Sequence, residues 1–178
     1  MKKFFVKQET ANQIEKLLSN TNFSWYYHGS TIHSKEGATE KEKTIDSPQF
    51  THVFYFNGKP YSNHFNDILT VLSDIKVPYE KIKFHRVKGN LNLNISNYTK
   101  DNHQPIHIDT DVINSKSFIY YVNDSDGDTL FFDDNLNITD RISPKKGMGI
   151  LFDSNIKHAA QNPMKNYARL VLNYVWWV

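Results

Sequence analysis

Two histidines, one aspartate and one arginine are the residues of this chain with the most chemistry to offer. Pro105-Ile106-His107-Ile108-Asp109 places an imidazole and a carboxylate two residues apart. In a strand, such residues project from the same face. The plainer reading of a lone His-x-Asp is a hydrogen-bonded surface pair. A second histidine, His158, follows the turn after the apolar run Met148–Phe152. Eleven residues further, Arg169 opens the sequence Arg-Leu-Val-Leu-Asn-Tyr-Val-Trp. Arg169 shares a strand face with Val171, Asn173 and Val175, and Leu170, Leu172, Tyr174 and Trp176 occupy the other. Both faces are largely apolar, so the strand is expected to be central and the guanidinium buried. A buried guanidinium needs an anion. That anion is either a protein carboxylate, as a structural salt bridge, or the carboxylate of a ligand. His103 is a weaker candidate. Pro105 argues against a helix that would place it beside His107, and in an extended chain the two lie ~13 Å apart.

Composition narrows the chemistry. The chain has 178 residues and no cysteine, which removes disulfides, thiolate metal sites and a cysteine nucleophile. Any metal must be held by His, Asp and Glu, and eight histidines are available. There are 18 lysines but only three arginines (Arg86, Arg141 and Arg169). Arginine grips carboxylates bidentately where lysine does not, so each merits a question. A net charge of +2 and the lack of a dense basic block argue against a nucleic-acid partner. No apolar run suits a signal peptide or a membrane span. The expectation is a soluble, cytoplasmic protein.

The elements that must position these residues can be read from periodicity. Residues 9–20 carry Ile14, Leu17 and Leu18 at helical spacing, with Thr10 as N-cap. Residues 63–76 place Phe65, Ile68, Leu69, Leu72 and Ile75 on one helical face, capped by Ser62 or Asn63. Phe23–Tyr27 is aromatic and extended. Phe50–Phe56 reads as a strand ending at the turn dipeptide Asn57-Gly58. Residues 29–49 form a long polar loop, either a lid or a solvated excursion. From residue 81 the pattern is strands at 82–87, 91–95, 117–123, 128–133, 136–142, 148–153, 156–160 and 167–177. Helices followed by many short strands indicate an α+β, mainly β domain: helices packed on an antiparallel sandwich or barrel. One domain spans 1–178, with 1–80 as support and 81–178 as the barrel core.

Two imidazoles and one carboxylate on one side of a metal leave the opposite positions open, the facial triad of non-haem Fe(II) oxygenases. At this point the chain resembles the 2-oxoglutarate and Fe(II)-dependent dioxygenases, in particular their prolyl 4-hydroxylase-like branch. The resemblance covers residues 82–177 and rests on an ordered set of motifs. Tyr98 precedes His107-Ile108-Asp109. Then come Phe118-Ile119-Tyr120-Tyr121-Val122-Asn123 and Asp126-Gly127-Asp128-Thr129-Leu130-Phe131, like the family's YYLN and GGxTxF strands. Ile142-Ser143-Pro144-Lys145-Lys146-Gly147, Leu151-Phe152, His158 and Arg169 complete it. One departure is Asp126-Gly127 where the family has Gly-Gly.

The resemblance implies a double-stranded β-helix, a cupin-like jelly-roll barrel with the N-terminal helices on one face. It implies Fe(II) on His107, Asp109 and His158, with 2-oxoglutarate and O2 as co-substrates. The distal carboxylate of 2-oxoglutarate would pair with Arg169, assisted by Tyr121. Ile119, Thr129 and Phe131 would line the co-substrate pocket. Tyr98 is either a pocket residue or core packing. Asn173 either reaches the iron site or bonds within the barrel. The implied reaction hydroxylates an unactivated C–H bond, with release of succinate and CO2. Its substrate is expected to be a protein or peptide side chain such as proline, or else a free amino acid or small metabolite. Two readings from other classes remain: a metal hydrolase on the same ligands, and a non-catalytic jelly-roll binding protein.

Overall fold

A computed structural model describes residues 1–30 and 44–178. Most of the loop expected at 29–49 lies outside the described residues. The chain runs β1 (Lys2–Phe5), α1 (Gln8–Leu18), β2 (Tyr26–His28), β3 (Gln49–Phe56), β4 (Lys59–Pro60), α2 (Phe65–Asp74), a 3-10 turn (Tyr79–Lys81) and β5 (Lys83–Leu93). It continues through β6 (Ser115–Tyr121), β7 (Thr129–Phe132), β8 (Ile138–Ile142), β9 (Met148–Asp153), β10 (His158–Ala160) and β11 (Ala168–Trp177).

The strands form two antiparallel sheets. The larger has the order β1-β9-β6-β11-β5-β3-β2, with β4 hairpinned onto β3. The smaller has the order β10-β7-β8. It is widened at the β10 edge by residues 104–107. Gln104 N–H donates to Ala160 O at 2.8 Å, and His107 bridges His158. The two sheets face each other as a double-stranded β-helix.

The outer face of the large sheet carries the helices. Ile14 and Leu18 of α1 and Ile68, Val71 and Leu72 of α2 share a buried cluster with Phe54, Val87, Phe118, Tyr120, Leu172, Tyr174 and Trp176. Apolar residues three and four apart make one helical stripe, and alternate strand residues make one sheet face, so the two surfaces meet. The Tyr174 hydroxyl donates to Ile68 O at 2.7 Å, satisfying its only buried polar atom. A second cluster, including Ile119, Tyr121, Phe131, Ile150, Phe152 and Val171, fills the space between the sheets. β11 is buried from 169 to 176 and splits its faces as its alternation predicts.

Local details differ from the sequence reading. α1 begins at Gln8 with Lys7 in the cap position, so Thr10 is not the cap. It is buried in the first turn, where its hydroxyl helps to lower the Asp74 carboxyl. α2 begins at Phe65 with His64 in the cap position, without a side-chain cap bond. Ser62 Oγ accepts the His64 N–H one turn early. The expected strands at 82–87 and 91–95 are one 11-residue strand, β5. It runs unbroken through Gly89, where a Cβ would stand 3.1 Å from the Trp25 ring. Glycine is there to admit the indole, not to end the strand. β1 was not expected; it pairs with β9 at the edge of the large sheet.

Candidate metal and co-substrate site

The inner face of the large sheet is unusually polar. Cross-strand register places Val171 between Tyr121 and Asn90, Asn173 between Ile119 and Lys88, and Val175 between Ser117 and Arg86. Side chains at paired positions share a face. Opposite this wall stand Thr129 and Phe131 of β7 and His158 of β10.

His107 and His158 lie directly across from each other, with ring centroids 4.5 Å apart. Asp109 is two residues past His107, and its N–H is held by Ser154 O at 2.9 Å. One ligand atom from each of His107, Asp109 and His158 lies within 4.8 Å of the others. His107 Nδ1 faces Pro105 O at 3.1 Å, and His158 Nδ1 faces Ile156 O at 2.9 Å. A backbone carbonyl can only accept, so each Nδ1 carries a proton and Nε2 is the atom left to face the site. Burial, and next the neighbouring His158, push His107 down to about 4, so its ring is neutral at ordinary pH. This is the protonation state that a metal ligand requires.

Asp109 is the only carboxylate of the triad and is held from three sides. Arg86 Nη2 donates to Oδ1 at 2.7 Å, Asn173 Nδ2 to Oδ1 at 2.9 Å, and Ser117 Oγ to Oδ2 at 2.6 Å. Burial pushes this carboxyl up, but His158, Arg86, His107 and Ser117 together outweigh burial and hold it well below the usual range. Two imidazoles and an ionised carboxylate form a donor set suited to a divalent first-row metal with open coordination positions.

Arg169 is 2% exposed, next to the triad. Its Nε donates to Gly127 O at 2.8 Å and its Nη2 to Thr129 Oγ1 at 2.8 Å. The other two arginines have carboxylate partners: Arg86 with Asp109, and Arg141 with Asp128 at 3.1 Å. Among the described residues, no carboxylate lies within ion-pair distance of Arg169. Tyr121 donates its hydroxyl to Thr129 at 2.8 Å, and its ring lies 5.9 Å from the guanidinium. A cavity of ≈ 60 Å³ joins the two ends of the site, lined by His107, His158, Ile119, Thr129, Asn173 and Arg169 among others.

The structure therefore brings together nearly every residue singled out in the sequence. Tyr98 is buried beside Arg169, and burial raises its phenol to about 12. Phe131 does not line the cavity; it packs edge-on against Phe152, 6.1 Å from the His158 ring. His103 stays out of the metal group and packs on Phe132. Sequence reasoning named Arg86 among the three arginines without giving it a role, and it missed Ser117, Lys88 and Asn90. The signal was present in β5, where polar Arg86, Lys88, Asn90 and Asn92 alternate with Val87, Gly89, Leu91 and Leu93. It also missed the function of Asp126, which accepts the backbone N–H groups of Met164, Lys165 and Asn166 and so fixes the loop before Arg169.

Residues 93–177 match the family model described as the 2OG-Fe(II) oxygenase superfamily. This barrel region is similar to that superfamily. Its members are oxidoreductases that use Fe(II), 2-oxoglutarate and O2, and the His-Asp-His group of this chain suits that metal. Solved structures share the fold. A 2OG-Fe(II) oxygenase family oxidoreductase from Burkholderia pseudomallei superposes with a TM-score of 0.68 at 12% identity, covering 96% of this chain and 80% of that one. The alpha ketoglutarate dependent epimerase SnoN from nogalamycin biosynthesis gives 0.61 at 10% identity, covering 98% and 76%. A prolyl-4-hydroxylase from Pseudomonas putida gives 0.50 at 12% identity, covering 94% and 98%. No curated protein matches the chain in sequence. No helix of the described residues is long and apolar enough to cross a membrane.

Proposed function

We propose that the chain is a hydroxylase in which His107, Asp109 and His158 hold Fe(II) and Arg169 binds the distal carboxylate of 2-oxoglutarate. The observation that carries this reading is the buried guanidinium of Arg169 without a carboxylate partner among the described residues. A charge so placed is costly unless a ligand neutralises it. The family's co-substrate brings a carboxylate to the place where it is needed.

When bound, Fe(II), 2-oxoglutarate and O2 supply oxidation of a C–H bond with release of succinate and CO2. The chain's own residues orient and insulate. Pro105 O and Ile156 O fix the imidazole tautomers. Arg86, Asn173 and Ser117 hold Asp109 ionised and in place. Thr129 and Gly127 aim the Arg169 fork, with Tyr121 bonded behind Thr129. Ile119, Phe131, Phe152 and Val171 close the interior to water.

The substrate is proposed to be a peptide or protein side chain such as proline, supported by the motif resemblance and by prolyl hydroxylases among the similar folds. A small-molecule substrate is the second reading, supported by the fold of the epimerase SnoN, which superposes better than the prolyl hydroxylases do and is solved in complex with Fe3+, alpha ketoglutarate and nogalamycin RO. The deciding experiment is succinate release from 2-oxoglutarate with added Fe(II), beside a His107→Ala control. Basal turnover is expected in the wild type and none in the variant. A purified protein that neither binds Fe(II) nor consumes 2-oxoglutarate overturns the reading.

A further inference from the structure

The inner face of β5 adds a second cationic feature to the site, separate from the Arg169 end. Lys88 stands in register with Asn173, the residue that donates to Asp109. It is two positions from Arg86 on the same strand face. Its ammonium is close enough to Arg86 and Asp109 for both to act on it. No ion pair or hydrogen bond to Lys88 Nζ is found among the described residues. Asp109, the opposing charge that acts on it among the described residues, is already taken by Arg86, Asn173 and Ser117.

The charges of the interior do not balance. Among the described residues, Arg86, Lys88 and Arg169 face it with three positive charges against the carboxylate of Asp109, the nearby Asp128 being paired with Arg141. A divalent metal and a dianionic co-substrate cancel one another and leave the surplus as it was. Burial is the first cause that lowers Lys88, to about 8, and the Arg86 charge is the second. A partly buried cation beside another cation is relieved by an anion. Arg169 lies four positions further along β11 from Asn173, about 13 Å along the strand, so one small co-substrate anchored there leaves Lys88 free.

We infer that Lys88 is a substrate-recognition residue: the molecule oxidised at this site presents an anionic oxygen group, carboxylate or phosphate, to Lys88 with Arg86 beside it. This inference rests on the proposed function and narrows its substrate class. It favours substrates with an acidic group near the oxidised carbon over neutral ones.

The test uses the full chain loaded with Zn(II) and saturated with 2-oxoglutarate, so that no turnover occurs and the Arg169 end is filled. Binding of matched probes is measured by calorimetry: N-acetylglutamate against N-acetylglutamine, and N-acetyl-O-phosphoserine against N-acetylserine. The pairs separate carboxylate from phosphate as the source of the charge. At least one anionic probe is expected to bind ten-fold or more tightly than its neutral partner. Lys88→Met should remove that preference, Lys88→Arg should keep it, and 2-oxoglutarate affinity should stay within two-fold in both. The inference is overturned if no anionic probe is preferred, or if the preference survives Lys88→Met. It is also overturned if Lys88→Met loses 2-oxoglutarate affinity, since Lys88 then serves the co-substrate. Failure of the underlying reading shows separately, as a wild type that does not bind 2-oxoglutarate before any probe is added.

Discussion

His107 and His158 form a closed antiparallel backbone pair: His107 N–H donates to His158 O at 3.0 Å, and His158 N–H donates to His107 O at 2.9 Å. Residues 51 apart in sequence are thus fixed opposite each other by main-chain bonds, and their rings project to one side. Metal affinity should therefore depend on the ligands and on what holds Asp109, not on induced folding. His107→Ala and His158→Ala are expected to abolish stoichiometric metal binding. Ser117→Ala, which removes one bond to Asp109, should weaken it by about 10–100-fold while leaving the fold intact. Metal titration of each variant, with circular dichroism as the folding control, measures both. Wild-type affinity in Ser117→Ala would exclude that hydroxyl from the support of Asp109.

The Arg169 assignment predicts a stability signature. Anything that binds only the folded state raises its melting temperature. With a non-oxidisable divalent metal bound, 2-oxoglutarate should raise the wild-type Tm and leave Arg169→Met unchanged. In the absence of 2-oxoglutarate, Arg169→Met should not be destabilised like an ordinary core truncation, because it removes a buried charge that lacks a carboxylate partner. A Tm rise of wild-type size in Arg169→Met would place the co-substrate elsewhere.

Much of this was legible because it is periodic. The split faces of β11, the α2 stripe, and the shared face of Thr129 and Phe131 all follow from counting by two or by 3.6. The ligand pair itself was visible only as motifs; nothing in the spacing of His107 and His158 reveals that their backbones bond. What stayed hidden depends on partners distant in sequence. Arg86 serves Asp109 from 23 residues away, and Asp126 holds a loop some 40 residues on. Gly89 reads as a strand break until Trp25 is seen to occupy the missing Cβ. Local propensity carries no information about such contacts.

Acid should weaken the metal-free fold through His107. Its folded pKa is lowered, to about 4, from an ordinary value near 6.5. Below pH 6.5 the unfolded chain takes up a proton that the folded chain refuses, so stability falls as pH drops, until the folded state also protonates near pH 4. His52 acts in the same direction, since burial among Phe23 and Phe54 lowers it too. Urea unfolding between pH 7 and pH 4.5 should show stability declining by up to about 1.4 kcal/mol per pH unit for each such proton. His107→Gln should flatten the decline, and an unchanged slope in that variant would mean its ring is not buried neutral.

Gly127 is the point where the co-substrate end depends on backbone packing. A Cβ there would sit 2.6 Å from Gln161 O, 2.9 Å from Pro163 N and 3.0 Å from Asn162 C. All three are main-chain atoms, which cannot turn aside as a side chain can. The Gly127 carbonyl is also the acceptor for Arg169 Nε. Gly127→Ala must therefore push apart two segments, each tied to the site, at a cost of about 1–3 kcal/mol. The shift should move the Arg169 fork more than the metal ligands, which are set by the separate His107–His158 bridge. The expected result is a lower Tm and weaker 2-oxoglutarate binding with metal affinity nearly retained, read by calorimetry of the two ligands on one preparation. Equal losses for both would mean that the metal and co-substrate ends are not mechanically separate.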